Sequence, residues 1–259
     1  MARTYRYEEM LPRDLARAVK EMPVFFFSTG LLEWHGEHLP LGQDALKAHG
    51  IALAVARKLG GGVVLPPHYW GRPGFSTYLG TFTFSEPTLW ALFTEVFEQL
   101  VKAGARVIVL LTGHYGDCQV DFVQRVSAAF AARHPKVRVI AQPEYEGVVV
   151  DGEVPADHAG KFETSMFRHL YPELTHMENF RMGVERVKKY EDAPHDLYRE
   201  PAEWEWGEDL TQTSSPELGE RCVEAIAEHL AEKVERALSD LGLARKVRAD
   251  GVSSRRARR

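Results

Sequence analysis

Cysteine is scarce in this sequence: Cys118 and Cys222 are its only two cysteines among 259 residues. Their spacing matches neither a zinc knuckle nor a disulfide framework. Long apolar runs are also missing, both at the N-terminus, where a signal segment would stand, and in the interior, where a membrane-spanning helix needs about 20 residues. We therefore expect a cytoplasmic protein with no membrane partner.

An excess of positive charge is missing as well. The formal net charge is -5, and acidic and basic residues are interspersed, which argues against a nucleic-acid partner. The exception is the stretch RKVRADGVSSRRARR, which has seven arginines and lysines in the last fifteen residues. We interpret residues 244–259 as a basic, disordered tail that follows one domain over residues 1–243.

Hydrophobic residues make up 44% of the chain, which is enough for a sizeable core. Apolar runs predict strands at 23–30, 62–70, 106–113 and 137–143. Helical spacing predicts helices at 45–59, at 117–134 and near 161–170. Two more helices are predicted to follow N-cap candidates, one after Ser85 and one after Ser215, at about 216–241. Strands and helices alternate through residue 143, which predicts an α/β fold with a mainly parallel sheet.

Groups able to bind a metal crowd one short stretch, LLEWHGEHLPLGQD (31–44), directly after the first apolar run. Residues two apart in an extended chain point to the same side, so Glu33 and His35 can reach one site, and Asp44 returns to it after a turn. Mixed histidine and carboxylate ligands suit zinc, manganese or iron better than calcium. The same spacing also fits a capping network at a strand end, and at this point both interpretations stand.

Two later stretches carry further nitrogen and oxygen ligands. His114 lies in LTGHYGD, directly after the clearest strand, and His158 and Glu163 lie in DHAGKFETS. Sites in open α/β sheets form outside the carboxyl ends of the strands. We therefore expect the three stretches to meet at one edge of the sheet.

Together, these three motifs resemble those of the creatininase (creatinine amidohydrolase) family, in the same order and over about residues 5–240. The resemblance implies a three-layer α/β/α sandwich around a mostly parallel sheet, in subunits that form homo-oligomers, often hexamers. It implies two divalent metal ions per chain, which are zinc, manganese or iron. The implied reaction is metal-dependent hydrolysis of a C–N bond in a small-molecule amide. The substrate would be a cyclic amide, a formamide or a small peptide amide, attacked by a metal-activated hydroxide.

The resemblance also assigns roles to single residues. The metal ligands that it implies are Glu33, His35, Asp44, His114 and Glu163, with Asp44 bridging the two ions. The implied catalytic residues are His158, which would give a proton to the departing nitrogen, and Glu163. His38 is expected to orient Glu33 or His35.

The match has departures. A Gly-His-Gly-Gly-Asn-like segment of the family appears here as GHYGD, so that Tyr115 and Asp117 replace a glycine and an asparagine. At this place creatininase itself has a segment that resembles His-Tyr-Glu-Asn, in which the glutamate is a metal ligand. This chain has Gly116 at the position of that glutamate. Glu163 or Asp117 would have to take over that role, which counts against creatinine as the substrate. The family's Phe-Pro-Gly-Thr segment appears as YLGTF (78–82).

Two alternative functions remain open. A metal-dependent phosphoester hydrolase would use the same pair of ions but would need cationic groups at the pocket, for which Arg72 and Lys161 are candidates. A non-catalytic, metal-stabilised binding scaffold would follow if GHYGD left one ligand position empty. The stretch EWEW (203–206) is interpreted as a surface or interface patch rather than as a substrate-stacking element.

Overall fold

The computed structural model describes residues 4–190 and 201–243. The strands are β1 (Val24–Thr29), β2 (Val63–Val64), β3 (Val107–Thr112), β4 (Arg138–Pro143), β5 (Gly183–Arg186) and β6 (Glu203–Trp206). The α-helices are α1 (Pro12–Glu21), α2 (Gln43–Leu59), α3 (Glu86–Lys102), α4 (Asp117–Arg133), α5 (Lys161–Leu170), α6 (Leu210–Thr213) and α7 (Pro216–Asp240). The tail predicted at 244–259 lies outside the described residues.

The first four strands form one parallel sheet in the order β2-β1-β3-β4. Every residue of β1 and β3 is buried, as expected for parallel strands covered on both faces. The predicted parallel sheet is therefore confirmed. The strand predicted over 62–70 is shorter, because Pro66 and Pro67 follow Leu65 and have no N–H group to donate to a neighbouring strand.

Helices cover both faces of this sheet, because alternate side chains of β1 point to opposite sides. Phe26 packs into the core that α2, α5 and α7 form on one face. Phe25 and Phe27 pack into the core of α1, α3 and α4 on the other face. Burying one such side chain contributes about 1.5–3 kcal/mol. The predicted three-layer α/β/α sandwich is confirmed.

The segment after β4 is less regular and contains an antiparallel hairpin that the sequence did not predict. Its strands β5 and β6 pair Gly183 with Trp206. Trp206 packs in a third apolar cluster together with Trp34 and Leu39. Because Trp34 and Leu39 belong to the segment that follows β1, this cluster packs against the loop that carries the first motif.

The helices begin largely as the sequence predicts. Ser215 caps α7, since its Oγ accepts a hydrogen bond from the N–H of Leu218 and Pro216 takes the first helical position. Ser85 precedes α3, but its hydroxyl pairs with Thr88 Oγ1 instead of a helix N–H group. Within the described ranges, every helix is too short or too polar to cross a membrane.

Candidate metal centre

The predicted ligands lie at the carboxyl-end edge of the parallel sheet. Glu33 and His35 lie in the loop after β1, and Asp44 is the second residue of α2. His114 follows β3, and Glu163 lies in the first turn of α5. All five side chains are buried. The fold therefore brings residues of three distant motifs to one place.

Two groups of ligand atoms share Asp44. In the Glu33 cluster (Glu33, Asp44 and His114), His114 Nδ1 lies 3.0 Å from Glu33 Oε2 and 3.5 Å from Asp44 Oδ2. In the Glu163 cluster (His35, Asp44 and Glu163), His35 Nε2 lies 3.0 Å from Asp44 Oδ1 and 3.6 Å from Glu163 Oε2. The Asp44 carboxylate thus turns one oxygen toward each cluster.

The residues present fit a metal ion in each cluster. Ligand atoms about 2.1 Å from a tetrahedral ion lie about 3.4 Å from one another, which is close to the separations found here. The two clusters also bury three carboxylates, which is unfavourable unless cations compensate them. Histidine nitrogen together with carboxylate oxygen is a donor set for zinc, manganese or iron.

The histidine pKa values reflect the same excess of negative charge. Burial lowers the pKa of His35, but Asp44 and Glu163 outweigh burial and raise it to about 9. Burial also lowers the pKa of His114, and Glu33 and Asp44 reverse this so that it lies well above its ordinary value. Protons on these two rings and metal ions beside them are alternative ways of balancing the buried carboxylates.

His158 lies beside the two clusters. Its ring centroid is 4.4 Å from that of His35, and its Nε2 lies 3.0 Å from the backbone oxygen of Trp34. A carbonyl oxygen only accepts, so Nε2 carries the proton of the neutral ring and Nδ1 is left as the acceptor. Burial, followed by the charge of His35, lowers the pKa of His158 to about 4. His158 also comes within ligand range of Glu33 and His35, so a third ligand group is geometrically available.

A cavity of about 670 Å³ gives access to this centre. Four of the five predicted ligands line it, together with His158. The rest of its wall includes Pro73, Gly74, Phe75, Tyr115, Asp117, Cys118, Asp157 and Pro201. This volume is that of a small-molecule site.

Aromatic rings surround His158. Trp34 stacks on it with ring centroids 6.2 Å apart, and the centroids of Phe75 and Trp204 lie 4.6 Å and 5.4 Å away. Trp204 and Trp206 both pack against Trp34. The two tryptophans of EWEW are therefore not a simple surface patch, because they pack beside the candidate centre, whereas Glu203 and Glu205 are exposed. That the stretch forms an interface stays a prediction.

Sequence reasoning missed Lys47, a fully buried lysine in α2. It lies one helical turn after Asp44, and its Nζ donates a hydrogen bond to Glu163 Oε1. Its position in ALKAHGIALAV, among apolar residues at helical spacing, is the signal that could have revealed it, because lysine is seldom buried without a partner.

Two carboxyl groups beside the centre, the half-buried Asp157 and the buried Glu144, were missed as well. Asp157 accepts hydrogen bonds from the N–H groups of Phe162 and Glu163, which fixes the start of α5. Burial raises the pKa of Asp157 to about 6. Glu144 follows β4, and burial raises its pKa to about 7. Asp157 is the first residue of the quoted motif DHAGKFETS but was assigned no role there, and Glu144 belongs to no quoted motif.

Two further residues lie where the sequence did not place them. His38 Nε2 lies 3.0 Å from Thr164 Oγ1, so His38 contacts the residue after Glu163 instead of orienting Glu33 or His35. Asp117 lines the cavity but is exposed and is not part of either cluster. Of the two residues considered as substitutes for the ligand absent at Gly116, only Glu163 lies in a cluster.

Fold and site together define an α/β/α protein with a buried pair of histidine–carboxylate clusters. The creatininase family model, described as creatinine amidohydrolase, matches residues 8–234. The chain belongs to the creatininase family, as its motifs predict.

The individual relatives have low sequence identity to this chain. The creatinine amidohydrolase of Pseudomonas putida is 26% identical over 235 residues, which cover 81% of this chain and 89% of that protein. The mycofactocin precursor peptide peptidase of Mycobacterium ulcerans (strain Agy99) is 26% identical over 171 residues, 62% of this chain and 64% of that protein. A solved manganese form of creatininase superposes with a TM-score of 0.71 at 22% identity and covers 90% of this chain and 98% of its own.

Proposed function

We propose that this protein is a metal-dependent hydrolase that cleaves a C–N bond in a cyclic amide, a formamide or a small peptide amide. The observation that carries the proposal is the pair of clusters that share Asp44 and open to a cavity of about 670 Å³. Family membership supports amide chemistry, since one relative is a creatinine amidohydrolase and another a peptidase of a peptide precursor.

Two divalent cations would occupy the centre, one in the Glu33 cluster and one in the Glu163 cluster. Asp44 would be shared between them, since its two oxygens face different histidines. When bound, such ions would polarise a carbonyl and lower the pKa of a water molecule toward neutrality. Zinc, manganese and iron all suit this donor set.

Gly116 would supply no ligand, and Glu163 would be the carboxylate that completes the Glu163 cluster. Its Oε2 points toward His35 Nε2, and its second oxygen contacts Lys47. The ligand set therefore differs from the one expected for creatininase itself. This difference favours an amide other than creatinine as the substrate.

His158 would move the proton that amide cleavage requires. Its Nε2–H is held by the carbonyl of Trp34, which fixes the ring and leaves Nδ1 to accept a proton and pass it to the departing nitrogen. Proton transfer to that nitrogen matters because an amide nitrogen leaves poorly as an anion. The rings of Trp34 and Phe75 beside His158 would exclude water from this side of the site.

The charge of the cavity favours an amide over a phosphoester. Among the described residues that line it, five are carboxylates and none is lysine or arginine. Arg72 lies 3.8 Å from Glu86, and Lys161 lies 2.7 Å from Glu153, so both candidate cations have acidic partners outside the cavity wall. A phosphoester hydrolase would need cations there to hold a dianion.

The scaffold alternative has less support, because all five ligand positions are filled and a proton-transferring ring lies beside them. By its resemblance to the family, we also propose that the protein is a cytoplasmic homo-oligomer, with the hexamer as the arrangement to test.

A substrate panel tests the proposed reaction. Protein loaded with zinc, manganese or iron is assayed for ring opening of cyclic amides, for amine release from formamides and short peptide amides, and for phosphate release from a phosphomonoester. We expect turnover of at least one amide that is lost on chelation and restored by the metal. Phosphate release without amide cleavage would favour the phosphoester hydrolase, and a metallated protein inactive on the whole panel would favour the scaffold.

A further inference from the structure

Lys47 is the least expected residue of the site. It is fully buried on α2, and its ammonium group lies between two buried carboxylates, Glu163 and Glu144, at the carboxyl-end edge of the sheet. Burying an ammonium group is costly, so a lysine at this place needs compensating contacts.

The contacts of Lys47 connect separate loops. Its Nζ donates to Tyr115 Oη at 2.6 Å and to the backbone oxygen of Gly113 at 3.4 Å, both in the loop after β3. Glu144, which follows β4, has Oε1 at 3.6 Å from the same nitrogen. The Tyr115 that departs from the family pattern is therefore a partner of Lys47.

The two oxygens of Glu163 have different environments. Oε1 accepts a hydrogen bond from Lys47. Oε2 accepts one from the N–H of Ala159 at 2.8 Å and lies 3.6 Å from His35 Nε2. Both oxygens of the carboxylate are therefore fixed by hydrogen bonds, with Oε2 turned toward the Glu163 cluster and Oε1 turned away from it.

We propose that Lys47 is a positioning residue that holds Glu163 so that a single oxygen, Oε2, is presented to a metal ion in the Glu163 cluster. This inference rests on the proposed metal centre. Groups that orient metal ligands in this way typically account for about 10- to 100-fold in metal affinity. The effect is confined to one of the two ions, because Lys47 contacts none of Glu33, His35 or His114 through a described hydrogen bond or ion pair.

A purely structural role for Lys47 gives a different expectation. In that case its function is to neutralise Glu144, and removing both charges together restores the wild-type site. The variants Lys47→Met and Lys47→Met/Glu144→Gln separate the two roles. Methionine keeps the length of the side chain, and glutamine keeps the shape of Glu144 without its charge.

The test is a stepwise titration of metal-free protein with Zn²⁺ and with Mn²⁺, read as ions bound per chain, together with the thermal unfolding of the metal-free forms. We expect the double variant to regain most of the thermal stability that Lys47→Met loses. We also expect it to bind one ion as the wild type does and the second about 10-fold or more weakly. If Lys47→Met alone does not fold, the double variant carries the test.

Wild-type affinity for both ions in the double variant would overturn the proposal and leave Lys47 as the countercharge of Glu144. An equal loss of affinity for both ions would also overturn it, since the effect would not be specific to the Glu163 cluster. If the wild-type protein itself binds no metal, the metal centre fails, which is a separate outcome seen before any variant is compared.

Discussion

The carboxylate of Asp44 lies with Oδ1 3.0 Å from His35 Nε2, although His35 belongs to the loop after β1 and Asp44 to helix α2. Its other oxygen lies 3.5 Å from His114 Nδ1, which follows β3. One side chain thus joins two clusters that come from different parts of the sheet edge.

Replacing Asp44 with alanine is expected to remove both metal ions and the hydrolytic activity together, because each cluster loses the ligand that the two share. Elemental analysis of protein purified without chelator gives the ions per chain. Asp117→Ala is the matched control, since Asp117 is a carboxylate on the same cavity wall but outside both clusters. A fully metallated and active Asp44→Ala protein would contradict the assignment.

The variant His158→Ala separates proton transfer from metal binding. If the ring moves a proton, both ions stay bound and kcat falls about 100-fold or more. Metal content and kcat are measured on the same preparation. Loss of an ion together with activity would instead make His158 a ligand, which its position near Glu33 and His35 allows.

Gly74 gives a test in which no ligand residue is itself substituted. A β-carbon at Gly74 would lie 1.7 Å from Glu33 Oε1, and that oxygen accepts the N–H of Phe75 at 2.9 Å. Gly74→Ala is therefore expected to displace Glu33 and to lower the affinity for the ion in the Glu33 cluster, while the other ion stays bound. Gly207→Ala is the control, because a β-carbon there meets nothing within 4 Å. Unchanged stoichiometry and affinity in Gly74→Ala would show that Glu33 is not a required ligand.

The lowered pKa of His49 predicts that part of the free energy of unfolding is lost at acidic pH. Burial, followed by the charge of Arg6 and by His68, lowers its pKa to about 4, against about 6.5 in an unfolded chain. Between these values the unfolded state binds more protons, so the free energy of unfolding rises with pH and is lost as pH falls from about 6.5 to 4.

The variant His49→Gln removes this titration, and the amide oxygen can still accept the hydrogen bond from Arg6 that His49 Nε2 accepts at 2.8 Å. We expect its loss of unfolding free energy between pH 7 and pH 5 to be smaller than that of the wild type by on the order of 2 kcal/mol. Urea unfolding of the metal-free proteins at both pH values measures the difference. Parallel pH profiles for the two proteins would show that His49 does not contribute.

Local patterns in the sequence were sufficient to predict much of the fold. The apolar runs that became β1 and β3 are buried on both faces, which a continuous hydrophobic strand requires in a covered parallel sheet. The alternation of Glu33 and His35 along an extended segment was also local. These features depend on neighbouring residues, so the sequence shows them directly.

The hairpin of β5 and β6 could not be predicted in the same way. Its strands are only four residues each, and they include exposed residues such as Val184 and Glu205. Trp206 becomes buried only because Trp34 and Phe180 pack against it from other parts of the chain. A contact that depends on distant partners leaves no periodic signal in its own segment.

By itself, therefore, the sequence determined the layers of the fold and which residue types could form a metal centre. Only the tertiary structure decided that Asp44 faces two histidines at once and that Glu163 is held by Lys47, which is 116 residues away in the chain. The physical reason is that these contacts form where parallel strands end side by side and a helix packs across them. Their geometry is set by the pairing of the whole sheet and not by the spacing within any motif.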